Sequence, residues 1–306
     1  MTNTLLLIPH VRIQNANALS SPFTIGFPAM TSWLGAVHAL QRELNAKGIA
    51  VNFDGVGVIS HQFNLQVHKG PSDFEYSIVS TANPLDKEGK RPSFIEEARC
   101  RLEISLVIQC SGIVKLDEPL VIKIINHHLN GRMKMAGGDI LGVEQPAFYR
   151  EFNLIKSKLM PGYALIERRQ LMVDAMKQGQ DALDALLDYL VIHRRCEQHE
   201  QHSEIIINWS GTRKPTGPNG ERGWIVPIAT GFQGISALGQ AKNQRDPEVP
   251  HRFAEAIVTL GEFKMAYKVQ CLEELLWHYH YDADNHLYLC QQIVPDPQAL
   301  FERDGF

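Results

Sequence analysis

Leu5-Leu6-Leu7-Ile8-Pro9-His10-Val11-Arg12-Ile13 opens the chain with a short apolar run, which we interpret as a buried first strand. The polar segment that follows, 14–22, is predicted to be a loop. Beyond Pro28, apolar residues recur three and four positions apart, as on one face of a helix that Gly48 ends. The residues of this face are Met30, Trp33, Leu34, Val37, Leu40 and Leu44. The chain therefore begins with a strand and an amphipathic helix.

The next segments alternate apolar and polar residues, a pattern that predicts strands. The alternation covers 59–67 and 102–108, and 120–125 is a further strand candidate. Strand, helix, strand, strand is the first half of a ferredoxin-like βαββαβ sandwich. The predicted fold class is therefore α+β.

The second half of the chain shows one clear helix and no sign of a separate domain. An apolar stripe opposite three aspartates predicts an amphipathic helix. The stripe is Leu183, Leu186, Leu187, Leu190 and Val191, and the aspartates are Asp181, Asp184 and Asp188. Strands are expected at 204–209 and 275–289. Without a repeat or a Pro/Ser-rich linker, we expect one elaborated domain over 1–306. Its core would be 1–125 and 205–306, and 126–204 would be an insertion with an exposed hairpin or loop tip at 127–138.

Composition places the chain among ordinary globular proteins. It has 306 residues, of which 44% are hydrophobic and 21% charged, so a disordered chain, a fibrous repeat and a disulfide-stapled miniprotein are excluded. Five cysteines without a C-x-x-C pair favour a reducing compartment. The start of the chain lacks the pattern of a signal peptide, and no apolar run reaches the length of about 20 residues that spans a bilayer. A cytoplasmic protein without a membrane partner is predicted.

Charge is distributed unevenly along the chain. Thirty basic and 34 acidic residues give a net charge of −4, but 205–245 has five basic residues against one acid, together with seven glycines. A second basic island consists of Lys123, Arg132 and Lys134. The stretch 246–306 has eleven acids and four bases, a net charge of −7, and is better suited to face protein or solvent. The basic stretches are either solvated loops or surfaces that bind anions.

Sequence signatures of catalysis or metal binding are weak. Cys196, His199 and His202 have a metal-like spacing but lie among charged residues typical of a solvated helix end. His278 and His280 could share one strand face opposite aromatic residues, where aromatic packing is the commoner use. Histidines that could act as general acids or bases are His10, His38, His61, His127 and His128, of which His38 and His61 are predicted to be structural. We therefore predict no catalytic residue, no metal site and no cofactor.

Two segments carry groups suited to single-stranded RNA. The predicted polar loop offers donors and acceptors for base edges, phosphates and 2′-hydroxyls: Arg12, Gln14, Asn15, Asn17, Ser20 and Ser21. The alternative for this loop is plain turn chemistry. The second segment is Gly-rich, so its backbone N–H groups could approach phosphate oxygens, and it includes Phe232, Gln233 and Gly234. Trp33, on the helical stripe, is predicted to be core.

Several blocks of sequence resemble the Csy-type CRISPR-associated proteins. They are Leu7-Ile8-Pro9-His10-Val11-Arg12-Ile13-Gln14-Asn15-Ala16-Asn17-Ala18-Leu19-Ser20-Ser21-Pro22, Gly26-Phe27-Pro28, Gly35-Ala36-Val37-His38-Ala39-Leu40-Gln41-Arg42, Gly223-Trp224-Ile225-Val226-Pro227-Ile228 with Gly231-Phe232, and Pro250-His251-Arg252-Phe253-Ala254-Glu255. Within that group the chain is similar to the subunit that caps the 5′ end of the guide RNA in the type I-F surveillance complex. The resemblance covers the whole length.

The resemblance implies a fold and a function. The fold would be an RRM-like palm of the RAMP superfamily with a thumb inserted at 126–204. The protein would hold the 5′ handle of the CRISPR RNA, pair with the large subunit, and contact an adjacent backbone subunit and, through the complex, target DNA. Arg132 and Lys134 at the thumb tip would contact the RNA backbone. A separate enzyme would process the RNA. Two alternatives stay open: a metal-independent endoribonuclease on the same fold, and a scaffold whose basic stretches contact only proteins.

Overall fold

The computed structural model describes residues 4–79, 85–91, 97–201, 204–217, 220–244 and 246–292. Its helices are α1 (Met30–Ala46), α2 (Glu118–Gly131), α3 (Asn153–Lys156), α4 (Arg169–Lys177) and α5 (Ala182–Leu190). Its strands are β1 (Thr4–Asn17), β2 (Leu19–Ser21), β3 (Thr24–Ile25), β4 (Asn52–Leu65), β5 (Val67–His68), β6 (Ser77–Ile78), β7 (Arg99–Ser111), β8 (Lys134–Met135), β9 (Gly138–Gly142), β10 (Ala147–Tyr149), β11 (Tyr163–Glu167), β12 (His193–Gln201), β13 (Glu204–Thr212), β14 (Trp224–Gly234), β15 (Ala254–Met265), β16 (Trp277–Asp282) and β17 (Leu287–Gln292). Among the described residues, no helix has both the length and the apolar character that a membrane span requires.

One large antiparallel sheet organises the chain. Its strand order is β11-β15-β14-β17-β16-β4-β7-β1-β9-β8, and β10 pairs with β1 as well. β11 also pairs with β4, through Tyr163–Ser60 and Ala164–Ile59, so the strands from β11 to β4 close into a ring. Three two-stranded sheets, β2–β3, β5–β6 and β12–β13, are separate from it. Together with the five helices, this confirms the predicted α+β class.

The opening apolar run is buried on both faces of the sheet. Leu6 and Ile8 belong to a core cluster with α1 and α2, whereas Leu5 and Leu7 belong to a second cluster on the other face. Because neither face meets water, the run is continuous and does not alternate. All six apolar residues predicted for the helix are buried on α1, where each contributes about 1.5–3 kcal/mol. The first strand and the first helix are confirmed.

The predicted polar loop at 14–22 is wrong in its first part. β1 continues to Asn17, and β2 follows after one residue. Two register shifts interrupt the pairing of β1 with β7, and His10 and Asn15 lie at them with positive φ angles of 47° and 56°. Such β-bulges break the alternation by which a strand is identified in a sequence, so the polar half of β1 resembled a loop.

The strand predicted at 120–125 is wrong, because this segment lies in α2. The buried residues of α2 are spaced three and four apart: Val121, Ile124, Ile125, His128 and Leu129. Pro119 lies in the first turn, where a helix tolerates proline. The helical period becomes visible only when His128 and Leu129 are counted. The shorter window, rich in β-branched residues, resembles a strand.

The predicted exposed tip at 127–138 is also wrong in its first half. α2 extends to Gly131, and the hairpin is β8–β9, which joins β1 through β9. Met135 and Ala136 are buried in this hairpin. Of the segment predicted as an insertion, β8 to β11 belong to the large sheet, and β12 pairs with β13 outside it.

The later elements form where the sequence predicts them. α5, β13, β16 and β17 occupy the predicted segments, and α4 and α5 pack on β14 and β15 around Met172, Ala175 and Leu260. The stripe of α5 is only partly covered, since Leu183 and Leu187 are exposed.

Candidate nucleic-acid interface

Four aromatic side chains line up across three neighbouring strands, β14, β17 and β16. Phe232 pairs with Tyr288, and Tyr288 pairs with Tyr281, so these rings share one face of the sheet. Tyr279 adds a ring whose centroid is 5.5 Å from that of Tyr288. Between 40% and 68% of each residue's surface is exposed. We call these four residues the aromatic row. Exposed rings on a sheet are the usual platform on which single-stranded bases stack.

Two glycines of β14 allow the strands to pack closely at the aromatic row. A Cβ atom at Gly231 would lie 2.0 Å from the carbonyl oxygen of Tyr288. At Gly234 it would lie 2.4 Å from Cδ of Arg252. The two sequence blocks around Gly231 and Arg252 thus meet side by side, since β14 pairs with β15. Packing of backbone against backbone therefore requires glycine at position 231, whereas a side chain at position 234 would displace the Arg252 side chain.

The backbone amides of this Gly-rich segment are occupied. The N–H of Gly234 donates to the carbonyl oxygen of His286, and that of Ile235 donates to the carbonyl oxygen of Phe253, both at 2.9 Å. These two N–H groups are therefore already engaged within the chain, which disfavours phosphate binding by them, and the contact of Gly234 with RNA stays a prediction. Phe232 and Gln233 have exposed side chains, and their contact with RNA stays a prediction that depends on those side chains.

A groove of about 450 Å³ adjoins the aromatic row. Phe232, Tyr281 and Tyr288 form part of its wall, and Arg252 lies beside them. Arg252 is half-buried, and its Nε has no hydrogen-bond partner among the described residues. A guanidinium can stack on a base or donate to a phosphate. Three residues of the row belong to the acidic stretch 246–306, whose expected contact with protein or solvent stays a prediction.

Other residues predicted to bind RNA lie near the β8 end of the large sheet, away from β14. Gln14, Asp139 and Lys134 lie opposite one another on β1, β9 and β8. Lys134 Nζ is 2.7 Å from Asp139 Oδ1. Arg12, on the same strand as Gln14, is exposed and pairs with Gly142 of β9.

Asn15 and Arg132 lie close to this group. The side-chain oxygen of Asn15 accepts a hydrogen bond of 2.8 Å from the amide of Gln66. Arg132 is exposed directly after α2. We call Arg12, Gln14, Asn15, Arg132 and Lys134 the β1–β8 edge. Four strands separate β1 from β14 in the sheet. The residues predicted to bind RNA therefore lie on two separate surfaces, the β1–β8 edge and the end of β14.

The remaining three predicted residues are engaged in local turns. The side chain of Asn17 bonds to both backbone groups of Leu19. The hydroxyls of Ser20 and Ser21 lie 2.9 and 2.7 Å from the hydroxyl of Thr24, which closes the β2–β3 hairpin. The structure supports the turn interpretation for these residues, and their contact with RNA stays a prediction.

One basic residue of the stretch 205–245 is engaged within the chain. Lys214 pairs with Asp188, and its ammonium lies 4.3 Å from the centroid of the Tyr189 ring. Arg222 is exposed, and Arg245 lies outside the described residues. Lys123 of the second basic island is exposed on α2.

Two histidines take part in a partly buried polar network that crosses β1, β7 and β4. Ser105, fully buried, accepts from the backbone N–H of His10 at 3.1 Å and donates to Nε2 of His61 at 2.7 Å. Nδ1–H of His61 donates to the carbonyl oxygen of Pro161 at 2.7 Å. The His10 ring stacks on His61 at 4.3 Å and bonds to Glu103. Both nitrogens of His61 are thus occupied, which supports the prediction that it is structural.

We expect His61 to make the stability of the fold depend on pH. Burial lowers the pKa of His61 below its ordinary value of 6.5. Below pH 6.5 the unfolded chain binds a proton that the folded chain resists, so the free energy of unfolding falls as the pH drops from 6.5 toward the folded pKa. Denaturant titrations at pH 7 and pH 5 measure the loss, and His61→Gln should show a smaller pH dependence. An equal dependence in both proteins would contradict the network.

The candidate metal ligands lie only partly within the described residues. Cys196 and His199 lie on strand β12 and not on a helix end, and His202 is outside the described residues. His278 bonds to the carbonyl oxygen of Asp54 at 2.8 Å. Within the described ranges, no group of three or more His, Cys, Asp or Glu side chains could hold a metal ion.

The fold and these surfaces define an α+β protein with one large antiparallel sheet and exposed aromatic rings. A family model described as "CRISPR-associated protein (Cas_Csy2)" matches residues 6–290. The chain is also 32% identical, over 315 residues, to CRISPR-associated protein Csy2 of Pseudomonas aeruginosa (strain UCBPP-PA14), with 93% of this chain and 94% of that protein covered. The chain therefore belongs to the Csy2 family of the type I-F CRISPR system, which confirms the resemblance.

Proposed function

We propose that this protein is a non-catalytic subunit of the type I-F RNA-guided surveillance complex, which binds the 5′ handle of the CRISPR RNA and pairs with the large subunit. The aromatic row is the observation that carries the proposal. Its rings face outward from three adjacent strands, and stacking on such rings binds unpaired bases with little dependence on sequence. The half-buried Arg252 beside the row supplies a positive charge.

We also propose that the core is an RRM-like palm. In chain order, β1, α1, β4, β7, α2 and β9 give the βαββαβ succession, and the four strands are neighbours in the sheet. The proposed thumb is the β12–β13 hairpin, in place of 126–138. Its strands of nine residues pair with each other outside the large sheet. A two-stranded sheet is marginal by itself, which favours contact of this hairpin with an adjacent backbone subunit or with the guide–target duplex.

The absence of catalysis is part of the proposal. Family membership favours a subunit without an activity of its own. The histidine network agrees, because His61 has no free nitrogen and Ser105 is fully buried. A general base must reach the proton that it removes, and neither group is placed for that.

Co-purification with the large subunit, followed by binding of labelled handle RNA against a scrambled control, tests the proposed function. The same samples are then run on a denaturing gel. Selective binding with intact RNA supports a non-catalytic guide-holding subunit. Cut RNA in the presence of a chelator would instead assign the protein to the endoribonucleases, and the lack of any binding would leave only a protein scaffold.

We expect Arg12→Ala combined with Lys134→Ala to reduce the salt dependence of RNA binding. Each phosphate contact with a single strand contributes a slope of about −0.7 to the logarithm of affinity against the logarithm of salt. Two lost contacts should therefore change the slope by about 1.4. Lys47→Ala, an exposed lysine at the end of α1, is the matched control. An unchanged slope in the double variant would remove the β1–β8 edge from the interface.

A further inference from the structure

A second aromatic site lies apart from the aromatic row and from the β1–β8 edge. It is a cavity of about 300 Å³. Rings from four strands and from the segment after β3 line it: Phe63, Tyr163, Trp224, Phe263 and Phe27. We call it the aromatic cavity. Its volume is at the lower end of the range of small-molecule sites, about 300–1,000 Å³, which suits one ring system and not an extended ligand.

The rings of the aromatic cavity form walls and leave the centre open. Trp224 lies 5.7 Å from Tyr163 and 5.6 Å from Phe263, between ring centroids. Phe27 contacts Phe263 edge to face at 5.4 Å. Trp224 is 54% exposed, so the cavity is open to solvent on its side. A planar ligand that enters there can stack on Trp224 and meet the tilted neighbouring rings at their edges.

One wall of the aromatic cavity is polar, because the edge of β4 that faces it has no partner strand among the described residues. β11 pairs with β4 only at Ile59 and Ser60. Beyond Ser60, Gln62 and Phe63 pair with β7 on one side, and no strand of the described part of the chain pairs with their other side. Such an edge presents backbone donors and acceptors. The exposed amide of Gln62 adds one more group of each kind.

A nucleobase matches this combination better than an apolar side chain does. It is planar, so it can stack on the exposed ring of Trp224, and its edge carries both donors and acceptors. An aliphatic or phenyl group would leave the edge of β4 without partners on desolvation, at a cost of about 1–3 kcal/mol for each buried group. The exposed Arg222, two residues before Trp224, is available for the adjoining phosphate.

We propose that the aromatic cavity holds a single unstacked nucleobase of the bound RNA. The proposal rests on the proposed function, since it adds a base-binding site to an RNA-binding subunit. Trp224, the exposed ring, stacks on the base, Phe263 contacts the base from its tilted position beside Trp224, and the open edge of β4, together with Gln62, binds its polar edge.

Trp224→Ala tests the proposal in the full chain complexed with the large subunit. The probe is handle RNA with 2-aminopurine placed at one position at a time. We expect quenching of the fluorescence at one position to be lost in Trp224→Ala, and affinity to fall by about 5- to 150-fold, the range for removing one base-stacking ring. Trp224→Phe keeps a ring and should keep most of the affinity. Phe74→Ala, which removes an exposed ring elsewhere, should change neither signal.

The outcomes separate this proposal from the proposed function. If the wild-type complex binds no RNA, the proposed function fails. If it binds RNA but Trp224→Ala has the same affinity and the same quenching, the function stands and the cavity proposal is wrong. If Trp224→Ala weakens only co-purification with the large subunit, the occupant is a protein side chain and the proposal is also wrong. Thermal melting of each variant verifies folding. If the alanine variant does not fold, Trp224→Leu, which keeps an apolar side chain but removes the ring, should show the same losses, and wild-type affinity and quenching in it would overturn the proposal.

Discussion

Phe232→Ala combined with Tyr281→Ala is expected to lower the affinity for handle RNA by about 30-fold or more. Each base that stacks on an aromatic side chain contributes about 1–3 kcal/mol by alanine substitution, and the two rings lie on different strands of the aromatic row, on either side of Tyr288. Both rings are exposed, so the substitutions should cost the fold little. Fluorescence anisotropy of labelled RNA measures the change.

A matched pair of exposed rings controls for this variant. Phe74 and Tyr76 are 96% and 69% exposed, far from the aromatic row in sequence and on no strand of the large sheet. Their double alanine variant should bind RNA as the wild type does. Since stacking involves no charge, Phe232→Ala/Tyr281→Ala should also keep the salt slope that Arg12→Ala/Lys134→Ala reduces. Unchanged affinity in the ring variant would exclude the aromatic row as an RNA platform.

The elements that the sequence predicts well are those with one uninterrupted period. In α1 the helical period repeats over 17 residues, so the sequence identifies the buried face correctly: all six predicted residues are buried. β1 was predicted only as far as Ile13, since the bulges at His10 and Asn15 shift the side-chain alternation. At the start of α2, five of the six residues 120–125 are apolar and most of these are β-branched, so a short window favours a strand.

The candidate site was only partly predictable, because cross-strand register is not visible in a sequence. The sequence points to Phe232 through the glycines around it, whereas in the structure its exposed ring belongs to the aromatic row and the N–H groups of Gly234 and Ile235 are engaged within the chain. The sequence signal for the other rings is the alternation in β16, which predicts aromatic packing. Trp277 is buried as this predicts, but 68% of Tyr281 is exposed. The sequence of β16 does not show which of its aromatic residues is buried and which is exposed. The register of β16 with β17 places Tyr281 beside Tyr288 in the aromatic row.

Trp277→Ala is expected to cause the largest loss of stability, about 3–5 kcal/mol of the free energy of unfolding. Trp277 is fully buried, and its indole N–H donates to the carbonyl oxygen of Leu165 at 2.9 Å. It also pairs with Val56, the one contact by which β16 joins β4 in the sheet ladder. Removal of the ring therefore leaves a cavity and a carbonyl oxygen without its partner where the ring of strands closes. Denaturant unfolding measures the loss.

Two variants separate the contributions of Trp277. Trp277→Phe keeps an aromatic ring but removes the N–H donor, so it should cost only about 1–3 kcal/mol. Trp209→Ala removes a tryptophan that is 70% exposed on β13, and should change the free energy of unfolding by no more than about 0.5 kcal/mol. Because β16 also carries Tyr279 and Tyr281, Trp277→Ala should weaken RNA binding even where the protein is still folded, whereas Trp277→Phe should retain it. Equal RNA affinity in folded Trp277→Ala would mean that the aromatic row does not depend on how β16 is held against the core.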